Sequence, residues 1–114
     1  MGELLQIRVM AQTYKPESVE RRWPVLHKLA WPRPSPAWPH QGVMELPEAL
    51  SEQLSLGEWP KDRQEALRGP ISQILAIRSR LDSALGDRKP READALSYEL
   101  EDALDELEKK AASA

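Results

Sequence analysis

Between Pro70 and Leu107 the chain carries two amphipathic patterns of near-equal length, joined by Gly86-Asp87-Arg88-Lys89-Pro90. In the first, Leu67, Ile71, Ile74, Leu81 and Leu85 fall on one face of a helix, with Leu75 and Ile77 flanking. In the second, Ala93, Leu96, Leu100, Ala103, Leu104 and Leu107 form the stripe. The opposite face of that arm is read as acidic: Glu92, Asp94, Glu99, Glu101, Asp102, Asp105, Glu106 and Glu108. Gly86 is suited to close the first helix and Pro90 to open the second. A short connection between two amphipathic helices makes them antiparallel neighbours. The expected fold is therefore mainly α, an antiparallel helical hairpin. To it are added a short N-terminal helix, one N-terminal β-strand and a Pro/Trp-rich extended connector.

Upstream, Trp59, Ala66 and Leu67 stay in phase with Ile71 and Ile74, so the stripe runs across Gly69-Pro70. This predicts one kinked helix over 60–86 rather than two, with the acidic helix over 91–108. The tail 109–114, KKAASA, loses the apolar pattern and is expected to fray. Within the first arm Arg78 sits on the apolar stripe between Ile74 and Leu81. Its stem can lie on the core while its head reaches a carboxylate such as Glu99 or Asp102. The alternative is a charge kept for a ligand or partner.

Residues 3–13 alternate, with Leu5, Ile7, Val9 and Ala11 on one face, the pattern of a half-buried strand. A strand needs backbone partners. The one other candidate is the short 42–46 segment, GVMEL, so pairing of Leu5, Ile7 and Val9 with a second copy is expected. Pro16 opens a helical pattern over 16–30 that Pro24 interrupts, giving a kink or two short helices meeting at Trp23. Residues 31–42, WPRPSPAWPHQG, hold four prolines and two Trp and predict an extended connector. Trp31 and Trp38 either fold back onto the helices, meet a second copy, or present a ligand to a proline-recognising domain. Pro47 opens a short helix over 47–56 that Gly57 terminates.

A chain of 114 residues supports one small domain, here 1–110. The net charge of −3 does not favour nucleic acid in bulk. The charge is polarised: residues 1–42 hold six Lys/Arg against three Asp/Glu, residues 90–114 three against eight. With no Cys there is no thiol nucleophile or Cys-based zinc site. No window is apolar enough for a membrane helix and nothing resembles a secretion signal, so a cytoplasmic protein without a membrane partner is expected.

Chemistry-bearing motifs are sparse. His27 and His40 lack nearby carboxylates at helical spacing, and neither a Gly-x-Ser-x-Gly elbow nor a phosphate loop is present. Lys15, Arg21, Arg22, Lys28 and Arg33, interleaved with Trp23, Trp31 and Trp38, are the one pattern that suits nucleic acid. The pairs Glu17/Glu20 and Glu99/Asp102 resemble the ExxE and ExxD of helical nucleotide pyrophosphohydrolases, a resemblance confined to those four residues. It implies magnesium held by carboxylates three apart on helices. In this chain 78 residues lie between the two pairs, where that family uses adjacent helices.

The leading reading is a non-enzymatic interaction or assembly module, with no cofactor, no metal and no catalytic residue. It is expected to be a homo-oligomer, most simply a dimer, with a further protein partner unnamed. Its candidate interaction residues are Leu5, Ile7, Val9, Trp31, Trp38 and Arg78. A magnesium-dependent helical enzyme acting on nucleotides is the alternative. A nucleic-acid binder using the basic, Trp-containing N-terminal third is the third reading.

Overall fold

The computed structural model describes residues 4–7, 11–13, 17–33 and 40–113. The chain is mainly helical. Two three-residue strands, β1 (Leu5–Ile7) and β2 (Ala11–Thr13), precede five helices. These are α1 (Glu17–Arg22), α2 (Pro24–Ala30), α3 (Glu45–Leu56), α4 (Lys61–Gly86) and α5 (Pro90–Ser113). The long pair α4 and α5 forms the most extensive packing surface in the molecule. At 1.5 Å per residue α4 is about 39 Å long, which matches the longest dimension of 40 Å.

The apolar stripes meet between α4 and α5. Leu67, Ile71, Ile74, Leu81 and Ala84 of α4 are buried, as are Ala93, Leu96, Leu100, Leu104, Leu107 and Ala111 of α5. Pro70 lies inside a single helix. Its missing amide leaves the preceding turn one bond short without ending the helix. Helix α5 does not stop at Leu107. It runs to Ser113 because Ala111, one turn on, is buried and extends the apolar face.

Gly86 is not the left-handed residue at the turn. It is the last helical residue, and Arg88 takes φ 55° instead. The amides of Arg88 and Lys89 return to the carbonyls of Leu85 and Ala84, at 3.2 and 2.8 Å. This is a Schellman closure with arginine at the position that favours glycine. A left-handed non-glycine residue costs about 1–2 kcal/mol, part of which glycine would give back as chain entropy. Arg88→Gly is therefore expected to stabilise the protein by about 0.5–1 kcal/mol, read as a higher denaturant midpoint with unchanged slope. An equal or lower midpoint would contradict the strain at Arg88.

A continuous strand over 3–13 is not seen. β1 and β2 pair antiparallel, with Leu5 opposite Thr13, Gln6 opposite Gln12 and Ile7 opposite Ala11. The expected strand thus folds back on its own second half. The 42–46 segment is no strand either: Val43 and Met44 form a turn, and α3 begins at Glu45. Local bonds explain this. The amide of Gly42 donates to the Glu45 carboxylate at 3.1 Å, and that of Leu46 to the Gly42 carbonyl at 3.0 Å. Both close a helix start at residues that alternate too briefly to hold a strand.

The interruption at Pro24 produces two helices. Trp23, at φ −126° and ψ 66°, is the non-helical residue between α1 and α2, as the restriction on a residue before proline requires. Its side chain is fully buried and sits with Val19, Leu26, Ala30, Trp31, Leu46 and Leu50 in the core. α2 packs between α3 and α5, and β1 lies against α5. The N-terminal elements therefore form an arm that covers the side of α5 turned from α4.

Candidate functional site

Charged groups converge most densely where this arm meets α5. Three carboxylates, Glu101, Asp105 and Glu108, follow one another along α5 at helical spacing. Each is engaged by the arm, and Arg22 reaches two of them. The Leu4 amide donates to Glu101 Oε2 at 3.2 Å, and Arg22 Nη1 approaches Glu101 Oε1 at 3.4 Å. Arg22 Nε and Nη2 grip Asp105 at 3.0 and 2.9 Å, the forked geometry that suits guanidinium and carboxylate. Trp23 Nε1 donates to Asp105 Oδ1 at 2.8 Å, and the Arg22 guanidinium lies 5.1 Å from the Trp23 ring.

Glu108 performs a task the arm's own sequence leaves undone. α2 begins with Trp23 in the capping position, and no side chain within the helix caps its first turn. The free amides of Val25 and Leu26 donate instead to Glu108 Oε2 and Oε1, at 3.1 and 2.9 Å. A carboxylate at a helix start satisfies orphan donors and complements the helix dipole. The cap is thus delivered from another helix 82 residues away in sequence.

Glu101 is 1% exposed. The expectation that it belongs to an outward acidic face is corrected: it lies between Ser97 and Leu104 on a second buried face of α5, the face the arm covers. Asp105 and Glu108, half-buried, also meet the arm. Their signal in the sequence is indirect. The Trp-Pro start of α2 supplies no cap, so an acceptor must come from elsewhere, and Arg22 precedes it within reach of the same acceptor row.

Beside this row lies an open cleft of about 570 Å³, lined by Arg22, Asp102, Asp105, Glu106, Glu108 and Lys109. The hydrogen bonds from Arg22 hold the Asp105 carboxyl below its ordinary 3.8, against the opposing effect of burial; Trp23, the charge of Arg22 and Lys109 add to the lowering. A depressed folded value makes the stabilisation complete above pH 3.8 and removes it as pH falls through the folded value. Wild type should therefore exceed Asp105→Asn in stability at neutral pH, with the gap closing below pH ~3.8. Urea titrations from neutral pH to pH ~2 read it. A gap that stays constant over that range would show that the Asp105 charge is not what stabilises the contact.

The candidate interaction residues are dispersed. Arg78 lies at the α3–α4 contact. Its Nε donates to the Met44 carbonyl at 2.7 Å, and its other nitrogens meet Glu48 at 3.1 Å and Asp82 at 3.0 Å. The expected partners Glu99 and Asp102 are replaced by these, because α3 rather than α5 covers that turn of α4; Glu99 pairs with Arg80. Trp31 is 8% exposed and meets His27 edge-on at 5.1 Å, so it docks onto the helices. Leu5 and Ile7 belong to β1, while Val9 and Trp38 lie outside the described residues.

Burial of Trp23 and Trp31 removes two of the three rings from the basic, aromatic pattern considered for nucleic acid, and Arg22 of that pattern is engaged by α5. Among the described residues no group of three or more His, Asp or Glu side chains is placed to hold a metal ion. No described helix is long and apolar enough to cross a membrane. The chain matches no protein-family model, no curated protein and no solved structure.

Proposed function

We propose that this chain is a non-enzymatic assembly module whose copies associate through the N-terminal hairpin. The supporting observation is the hairpin itself: two strands of three residues, with no third strand among the described residues. An isolated two-stranded hairpin is marginal in water, and an open strand edge is a template for another strand. β1 has α5 beside it, whereas β2 has no comparable helix neighbour among the described elements. The edge of Ala11–Thr13 is then the one that a second copy meets, and a two-fold axis there gives both copies the same contact. Leu5 and Ile7 enter as the inner strand, already paired with Thr13 and Ala11.

Light scattering tests this. The expected mass is twice the 13.0 kDa of one chain. Adjacent amides in a strand point to opposite sides, so proline at Gln12 and proline at Ala11 or Thr13 remove donors of opposite aim. The substitution that removes the outward donor should halve the mass while leaving helical circular dichroism intact. A wild-type mass of 13.0 kDa from micromolar to millimolar concentration would overturn the reading.

A further inference from the structure

We infer that Glu101 is a positioning residue for assembly: it fixes where α5 holds the β-hairpin, and so where Ala11–Thr13 is presented to a second copy. This rests on the self-association reading and adds the residue that sets its geometry. Glu101 is 1% exposed. A carboxylate taken out of water is costly unless charge-assisted bonds replace its hydration. Its two oxygens serve two separate stretches of chain. Oε2 accepts from the Leu4 amide at 3.2 Å, and Oε1 from Arg22 Nη1 at 3.4 Å. Leu4 immediately precedes β1, and Arg22 is the last residue of α1, the first helix after β2. One buried carboxylate therefore ties the chain to α5 on both sides of the β-hairpin.

Two strands of three residues are too small to hold a fixed position unaided. β1 lies against α5, and Leu4 packs half-buried against the core. Apolar packing of that kind is non-directional, whereas a bond from a backbone amide fixes one point of the chain. The bond at Leu4 sets the height of β1 along α5, and β2 follows through its pairing with β1. Arg22 supplies the second fixed point from the same carboxylate. Glutamine matches glutamate in size but has one oxygen acceptor and one NH2 donor group. In place of Glu101 it would set its own N–H groups against either the Leu4 amide or the Arg22 guanidinium, so one tie is lost while the volume is kept.

Sedimentation equilibrium of the full chain over a dilution series tests this, under conditions where each variant keeps its helical circular dichroism. Glu101→Gln should weaken association about tenfold, the factor that corresponds to one charge-assisted hydrogen bond. Leu4→Pro removes the amide from the other side of the same bond, beside a strand start where proline is tolerated. It should weaken association by a similar factor, and it decides the matter if Glu101→Gln does not fold. The double variant should be about as weak as the weaker single one, because both changes break one tie. Leu81→Ala, buried between α4 and α5, lowers stability without touching that tie. Its dissociation constant should stay within about twofold of wild type. A dimeric wild type whose constant is unchanged by Leu4→Pro, or is raised as much by Leu81→Ala, overturns the positioning role and leaves the edge-paired dimer standing. Effects of Glu101→Gln and Leu4→Pro that add in full overturn it equally. A monomeric wild type overturns both readings.

Discussion

Trp23→Ala is expected to remove about 3–5 kcal/mol of stability, the range for deleting a large buried aromatic side chain. The ring is fully buried, and its Nε1 bond anchors Asp105. Its loss opens a cavity beneath α1 and α2 and withdraws one donor from the carboxylate row. Trp23→Phe should fall between: most of the packing is kept, but Asp105 loses the indole donor. Urea titration with a constant slope measures both. A cost below about 1 kcal/mol for Trp23→Ala would mean that the arm does not seat as described.

Within the hairpin, Leu81→Ala and Leu100→Ala should each cost about 2–5 kcal/mol, since both side chains are fully buried. Glu106, exposed at the rim of the cleft, is the control: Glu106→Ala should stay within about 0.5 kcal/mol of wild type. Its contact with Lys109 at 3.2 Å is a surface pair whose two side chains are largely solvated. Equal, small effects at all three positions would place the buried face elsewhere.

The helical patterns were readable because their cause is local. Spacing alone assigns Ile71, Ile74, Leu81, Leu96, Leu100 and Leu104 to buried faces, and the break at Trp23-Pro24 follows from the geometry proline imposes. The row on α5 was not readable by the same rule. Glu101, Asp105 and Glu108 look like any solvated acidic face, because their partners lie between 79 and 97 residues away for Leu4, Arg22, Trp23, Val25 and Leu26. Periodicity describes how a helix divides its own surface and says nothing of a second neighbour arriving from the other terminus. The strand was misread for a related reason. Alternation over 3–13 is the same whether the segment stays straight or reverses, and only the register, Ile7 opposite Ala11, tells them apart. Pairing within the segment also removes the unpaired inner edge that first suggested a second copy, and shifts the case for assembly to the edge of β2.

The cap that Glu108 supplies to α2 has a consequence for how the chain is made. Ribosomes add about 5–20 residues per second. The arm is synthesised before its acceptors. With Glu101 79 positions beyond Arg22, the arm waits about 4–16 s before its seat exists, at that rate of synthesis. During that interval the Trp23 indole has no Asp105 to bond and the first turn of α2 has no Glu108 acceptor. α4 and α5, whose contacts are joined by a short turn, can pair as soon as both have emerged. The hairpin then forms the template and the arm closes over it. In refolding experiments, Leu100→Ala should accordingly slow folding, whereas Trp23→Ala should chiefly speed unfolding. The reverse assignment in a chevron plot would place the arm, not the hairpin, at the start of folding.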